Sequence, residues 1–200
     1  MTQYIPSKID IVDYEKQRNL AKYDSAPFNG LKVYSGSAIK VRQLLSSSNV
    51  DIPTIILLSE HDSVVDSKVI MESYFEKFTH HNARILWFGR NEVNMKRVKY
   101  FDMDLPEHLI TSASHMSVMF SQDNFYYGKY GEKRICFNGL GSISEHICEN
   151  SDSVWYGAWG DDQNGEIHAR LTWNPYYKEM IKEILYLTNG DKIIKNKQRY

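Results

Sequence analysis

The stretch Pro53-Thr54-Ile55-Ile56-Leu57-Leu58, ending abruptly at Ser59-Glu60-His61-Asp62, constrains the fold more than any other part of the chain. A short apolar run with adjacent isoleucines, closed by proline on one side and polar residues on the other, predicts a fully buried strand of a parallel sheet. The residues directly after such a strand lie at its C-terminal end, where open α/β sheets place their chemistry. Asp62 is therefore a candidate functional acid. Downstream, SASHMSV at 112–118 sets a lone histidine, His115, among small residues. An acid after a strand and a later histidine on a loop form the second half of the chain order Ser…Asp…His. The first half, a serine on a G-x-S-x-G turn, occurs nowhere in the 200 residues.

The flanking patterns fit the same class. Residues 1–30 are polar and tyrosine-rich, with Pro6, Pro27 and Gly30 as breakers, and read as irregular or partly helical. Leu31, Tyr34, Ile39, Val41, Leu44 and Leu45 recur at loosely helical spacing over 31–46, although Gly36 weakens that helix. After Asp62, the steps between Val69, Ile70, Tyr74, Phe75 and Phe78 predict an amphipathic helix, with Ser67 as its N-cap and Asp66 at its entry. ARILWFG at 83–89 predicts a second buried strand, and VKYFDMD at 98–104 a third strand or an edge hairpin. ITSASHMSVMF is strand-like as it enters the loop that carries His115. Strand, helix, strand in this order is a βαβ unit, which crosses over right-handed onto a parallel sheet. Residues 121–175 lack periodicity, but their aromatic side chains predict an ordered loop region. A terminal helix follows, with Asn174 as cap, Pro175 at its first position and Gly190 as its stop. KIIKNKQRY reads as a solvated basic end. The expectation is a single α/β domain spanning 1–200.

Composition removes several functions. The formal net charge of −1 provides no basic surface for a phosphate backbone, so nucleic acid is not an expected partner. No apolar stretch approaches the roughly 20 residues of a spanning helix, and the polar N-terminus has no signal-peptide pattern. The chain as given carries no export address and is expected to be cytoplasmic. Cys136 and Cys148 are the two cysteines. They can pair, and two free thiols in a reducing cytoplasm are an equal alternative. Neither CxxC nor zinc spacing is present, so no metal or cofactor is expected.

Each candidate has an ordinary counterpart. An aspartate after a strand is commonly a turn residue, and a lone histidine in a loop is commonly structural. Asp66 competes with Asp62 for the acid role but reads better as a helix-entry residue. His80 and His81 fit a helix C-terminus, and His61 is expected to face away from Asp62. Asp161-Asp162-x-Asn164-Gly165 is weakly similar to a calcium loop, but its spacing fits a turn. The serines of YSGSA (34–38) and GLGSIS (139–144) lack the elbow frame.

Several short motifs, in order, resemble the C-terminal part of bacterial serine α/β-hydrolases. They are the S-x-x-D-x-V-V-D-like stretch at Ser59 to Asp66, the helix SKVIMESYFEKF, the strand ARILWF, S-H-M-S at Ser114 to Ser117, and N-x-x-Y-G at Asn124 to Gly128. RLTWNPYY at 170–177 and the connection YDSAPFNGLKVYSGSAIKVRQLL are similar to the family as well, so the likeness covers about residues 20–188. It implies the C-terminal portion of an α/β-hydrolase sheet, with Asp62 as triad acid and His115 as general base. It also implies esterase- or lipase-like hydrolysis of a small-molecule ester or lipid-like substrate in a longer form that contains the nucleophile. By itself this chain is expected to be inactive. Without upstream strands, PTIILL becomes an edge strand and the covering helices expose apolar surface. The expected consequence is self-association, or pairing with the missing N-terminal part, along that edge.

Overall fold

The computed structural model describes residues 8–10 and 25–197. The chain divides into two compact units, Met1–Asn49 and Val50–Tyr200. In the first, β1 (Lys8–Asp10) pairs antiparallel with β2 (Ser25–Pro27), and Lys8 lies opposite Pro27. Helix α1 (Phe28–Ser47) follows directly. It contains the expected helix and extends it, passing through both Gly30 and Gly36. No α1 residue is buried, and Leu31, Val33, Tyr34, Ile39, Val41 and Leu44 are all exposed. The readings for Pro6 and residues 11–24 lie outside the described residues.

The second unit is built on β3 (Ile55–Ser59), α2 (Ser67–Lys77), β4 (Arg84–Gly89) and β5 (Val98–Asp102). The three strands form a parallel sheet in the order β3-β4-β5, with Ile55 opposite Arg84 and Ile85 opposite Val98. β5 is thus a parallel strand and not the arm of a hairpin. Residues 90–97 return the chain to the start of the sheet without a helix, and Arg97 makes the last turn in the left-handed region at φ 67°.

β4 alternates perfectly between two cores. Ile85 and Trp87 pack with Leu58, Tyr74 and Ala83 on the α2 side. Leu86 and Phe88 pack with Phe101, Met103, Ile110, Leu171, Trp173 and Met180 on the other. Burial on both faces is what makes this strand read as an unbroken apolar run. β3 is different. It pairs only with β4, and of its residues only Leu58 and Ser59 are buried. The fully buried strand expected from its composition is instead an edge strand, with one side of its backbone unpaired by any described strand.

Other elements correct the sequence reading locally. The N-cap of α2 is Asp66, which accepts from the backbone N–H groups of Lys68 and Val69. Ser67, one residue later, donates its hydroxyl to Ser59 O at 2.6 Å. The stretch 110–120 is not a strand. Isolated bridges link Ile110 to Leu105 and to Tyr156, and turns follow. Within 121–175 lie helix α3 (Ser142–Glu149) and the short parallel pair β6 (Trp155–Gly157) and β7 (His168–Arg170). Helix α4 (Tyr177–Lys197) starts after Asn174, whose Oδ1 accepts from Tyr176 N. Gly190 does not stop it. The helix includes most of the stretch expected to be a basic tail, of which 198–200 lie outside the described residues. Cys136 and Cys148 form a disulfide that closes a loop around α3. The alternative of two free thiols is thereby set aside.

Candidate functional site

The site is assembled from two short segments. Asp62 comes from the loop at the C-terminal end of β3, where the polypeptide turns toward α2. Its Oδ1 accepts hydrogen bonds from Val64 N at 2.7 Å and Val65 N at 3.0 Å. Its Oδ2 lies 2.8 Å from His115 Nδ1. Burial pushes the Asp62 carboxyl up, but the bonds from His115, Val64 and Val65 outweigh it and hold the group below the ordinary carboxylate range. An ionised carboxylate only accepts, so the proton between the pair belongs to His115 Nδ1. In the neutral imidazole this leaves the lone pair on Nε2. The burial is unequal in a useful direction. The Asp62 side chain is 9% exposed, while that of His115 is 42% exposed. The acid is shielded and the imidazole is reachable.

His115 is mounted on a turn built from buried serines. The Ser114 hydroxyl donates to Leu171 O and accepts from Met116 N, and Ser117 Oγ donates to Ser114 O at 2.8 Å. Ser112, Ser114 and Ser117 are all buried. This explains the small residues around His115: each hydroxyl replaces a strand ladder in satisfying the backbone of a buried turn. Immediately upstream, Asp161 Oδ2 accepts from Thr111 Oγ1 at 2.9 Å and from Ser112 Oγ. Ser112 Oγ also accepts from Ala158 N. Burial works against the charge on Asp161, but the two hydroxyls and Gln163 N keep its carboxyl below the usual range. The Asp161-Asp162 stretch is thus a turn that pins the histidine segment. N-x-x-Y-G is a second brace. Asn124 Oδ1 accepts from Tyr126 N and Tyr127 N, and Thr172 Oγ1 donates to Tyr127 O at 2.7 Å.

Glu60 secures the acid's side of the site. Its Oε2 accepts from Arg90 N at 2.7 Å and Asn91 N at 3.1 Å, and its Oε1 from Asn91 Nδ2 at 2.6 Å. These bonds tie the end of β3 to the end of β4. Gly89 permits the approach, because a Cβ there would lie 2.7 Å from Glu60 Cβ. His61 turns to Arg90, with Nε2 at 3.2 Å from a guanidinium nitrogen. Burial lowers its pKa, and its Nδ1 is buried without a partner among the described residues. A depression of about 410 Å³ opens beside the pair, lined by Glu60 and by Asp62 through Lys68. Val64 on its wall is strongly exposed, as is Met119 on the histidine turn.

Sequence reading singled out Asp62 and His115, and the two lie in hydrogen-bond contact. It placed Asp66 correctly outside the pair. It missed Glu60, Thr111, Ser112, Ser114 and Asp161, whose partners are remote in sequence. The repeated serines around His115 were the only available signal. Among the described residues, no group of three His, Cys, Asp or Glu side chains could hold a metal ion, and no helix is long and apolar enough to cross a membrane. The sequence matches no protein-family model, no curated protein and no solved structure.

Proposed function

We propose that this chain supplies the acid and the base of a Ser-His-Asp acyl hydrolase, with Asp62 orienting His115. The observation that carries the reading is the 2.8 Å contact between His115 Nδ1 and Asp62 Oδ2 at the C-terminal end of a parallel strand. In such a mechanism Nε2 takes the proton of a serine hydroxyl as the oxygen attacks an ester carbonyl. The buried carboxylate stabilises the imidazolium that forms, and the proton then passes to the leaving alcohol. The exposed Val64 and Met119 suit an apolar acyl group, as in an ester or lipid-like substrate. The sequence resemblance to the back half of serine α/β-hydrolases agrees with this reading, on which the serine would come from a segment outside the present sequence. The open side of β3 is where such a segment would add its strands.

A second reading is an interaction module or inactive remnant that keeps the fold without the chemistry. The observation in its favour is the same edge of β3, unpaired among the described residues, which suits strand addition by any partner. One experiment separates the two. The DNA upstream of Met1 is translated in all frames, any G-x-S-x-G segment is joined to this chain, and turnover of a short acyl ester is measured. The expected result is no turnover by the chain alone and turnover by the joined protein. In the joined protein, His115→Ala should then lower the rate by about 10⁴-fold. Turnover that survives His115→Ala overturns the base assignment, and absence of any nucleophile segment moves the reading to the interaction module.

A further inference from the structure

The other end of the same sheet carries a second hollow, of about 390 Å³, lined by His81, Arg84, Arg97, Lys99 and Glu183. Arg84 opens β4, Arg97 directly precedes β5, and Glu183 comes from α4. Two arginines and a lysine therefore share the hollow with one carboxylate, on a chain whose net charge is −1. Glu183 is fully engaged: Oε2 accepts from Arg84 Nη1 at 2.9 Å and Oε1 from Lys99 Nζ at 2.7 Å. Arg97 has no carboxylate partner among the described residues. Its Nη1 donates to Phe78 O at 2.7 Å and to His80 O at 3.4 Å, and its guanidinium lies 5.0 Å from the centre of the Tyr74 ring. Among the described residues both arginines make their hydrogen bonds through Nη1, so each has further N–H donors. The Arg97 backbone, moreover, is held in the left-handed region that residues other than glycine seldom adopt.

An ion network that serves only to dock α4 would balance its charges. This one leaves an excess of two positive charges around a hollow of ligand size. Guanidinium pairs with free donors bind phosphate oxygens in forked geometry, and a lysine adds a point charge. We propose that this hollow, at the N-terminal end of the β3-β4-β5 sheet, binds a phosphate-bearing small molecule through Arg84, Arg97 and Lys99. The inference is independent of the acyl-hydrolase reading, since it uses none of that site's residues.

The test titrates inorganic pyrophosphate into the isotope-labelled full chain at constant ionic strength and follows backbone amides. Saturable shifts are expected at residues 81–84 and 97–99, with none at Asp62 or His115. Lys99→Gln should weaken binding by about tenfold. Glu183→Gln, which removes the internal competitor for the cations, should tighten it. A docking network without a ligand role gives non-saturating shifts that chloride reproduces. That result overturns the proposal, as does unchanged affinity in both variants once their spectra show the native fold.

Discussion

At the scale of single residues, three carboxylates around the candidate site are held ionised against their own burial. Hydrogen bonds overcome desolvation at Glu60, Asp62 and Asp161, and all three folded-state pKa values lie below the ordinary ones. A depressed carboxylate contributes stability that is fully present above its unfolded pKa and is lost as pH falls through the folded value. His61 is also depressed, so it resists protonation in the folded state and adds a loss of the same sign that begins in the imidazole range. Urea midpoints are therefore expected to decline gently below about pH 6.5 and steeply below about pH 4. Asp161→Asn should flatten the acid limb. A profile without slope between pH 7 and about pH 3 would contradict the paired carboxylates. Asp62 and His115 were legible in the sequence because each follows a recognisable pattern, a strand end and a small-residue loop. Asp161 was not. Its partners, Thr111 and Ser112, are brought to it by the Ile110–Tyr156 bridge, and no local periodicity announces such a contact.

At the scale of elements, β4 is the keystone, and its end is the tightest point. Gly89 lies against the Glu60 side chain so closely that a Cβ would have to displace it. Gly89→Ala is expected to destabilise the fold by about 1–3 kcal/mol, read from denaturant midpoints, because Glu60 would have to leave Arg90 N and Asn91 N. An unchanged midpoint would mean that Glu60 relaxes without loss. The central strand was legible from its unbroken apolar run, buried on both faces, and α2 from the spacing of Ile70, Tyr74, Phe75 and Phe78, although Val69 of the predicted stripe is exposed. Two features were not. α3 lies in a loop region where the disulfide and the Cys148, Val154 and Ala169 cluster supply the packing. α4 continues through Gly190, since a single glycine lowers helix propensity by only about 1 kcal/mol.

At the scale of the whole molecule, the second unit is built on a three-stranded parallel sheet whose edge strands, among the described residues, are β3 and β5. β3 presents its free edge with Ile55, Ile56 and Leu57 only partly buried. Edges of this kind are normally shortened, charged or covered, and β3 carries no charged residue. Association through the edge is the expected behaviour of the isolated chain. Sedimentation should show mass rising with concentration, and Ile56→Lys should shift the distribution toward monomer. A monomer with a sharp, concentration-independent thermal transition would rule it out.

The acid of the candidate pair hangs from that same strand, three residues beyond its last paired position, Ser59. Whatever docks on β3 therefore acts at both places. A strand that pairs with the edge suppresses local fraying of 55–59 and so narrows the range over which Asp62 can wander from His115. By reciprocity, anything that tightens the Asp62–His115 contact favours docking by the same factor. On the proposed reading, assembly and acid–base competence would be two readouts of one coupling, and an unpartnered chain would hold its imidazole less firmly than a partnered one.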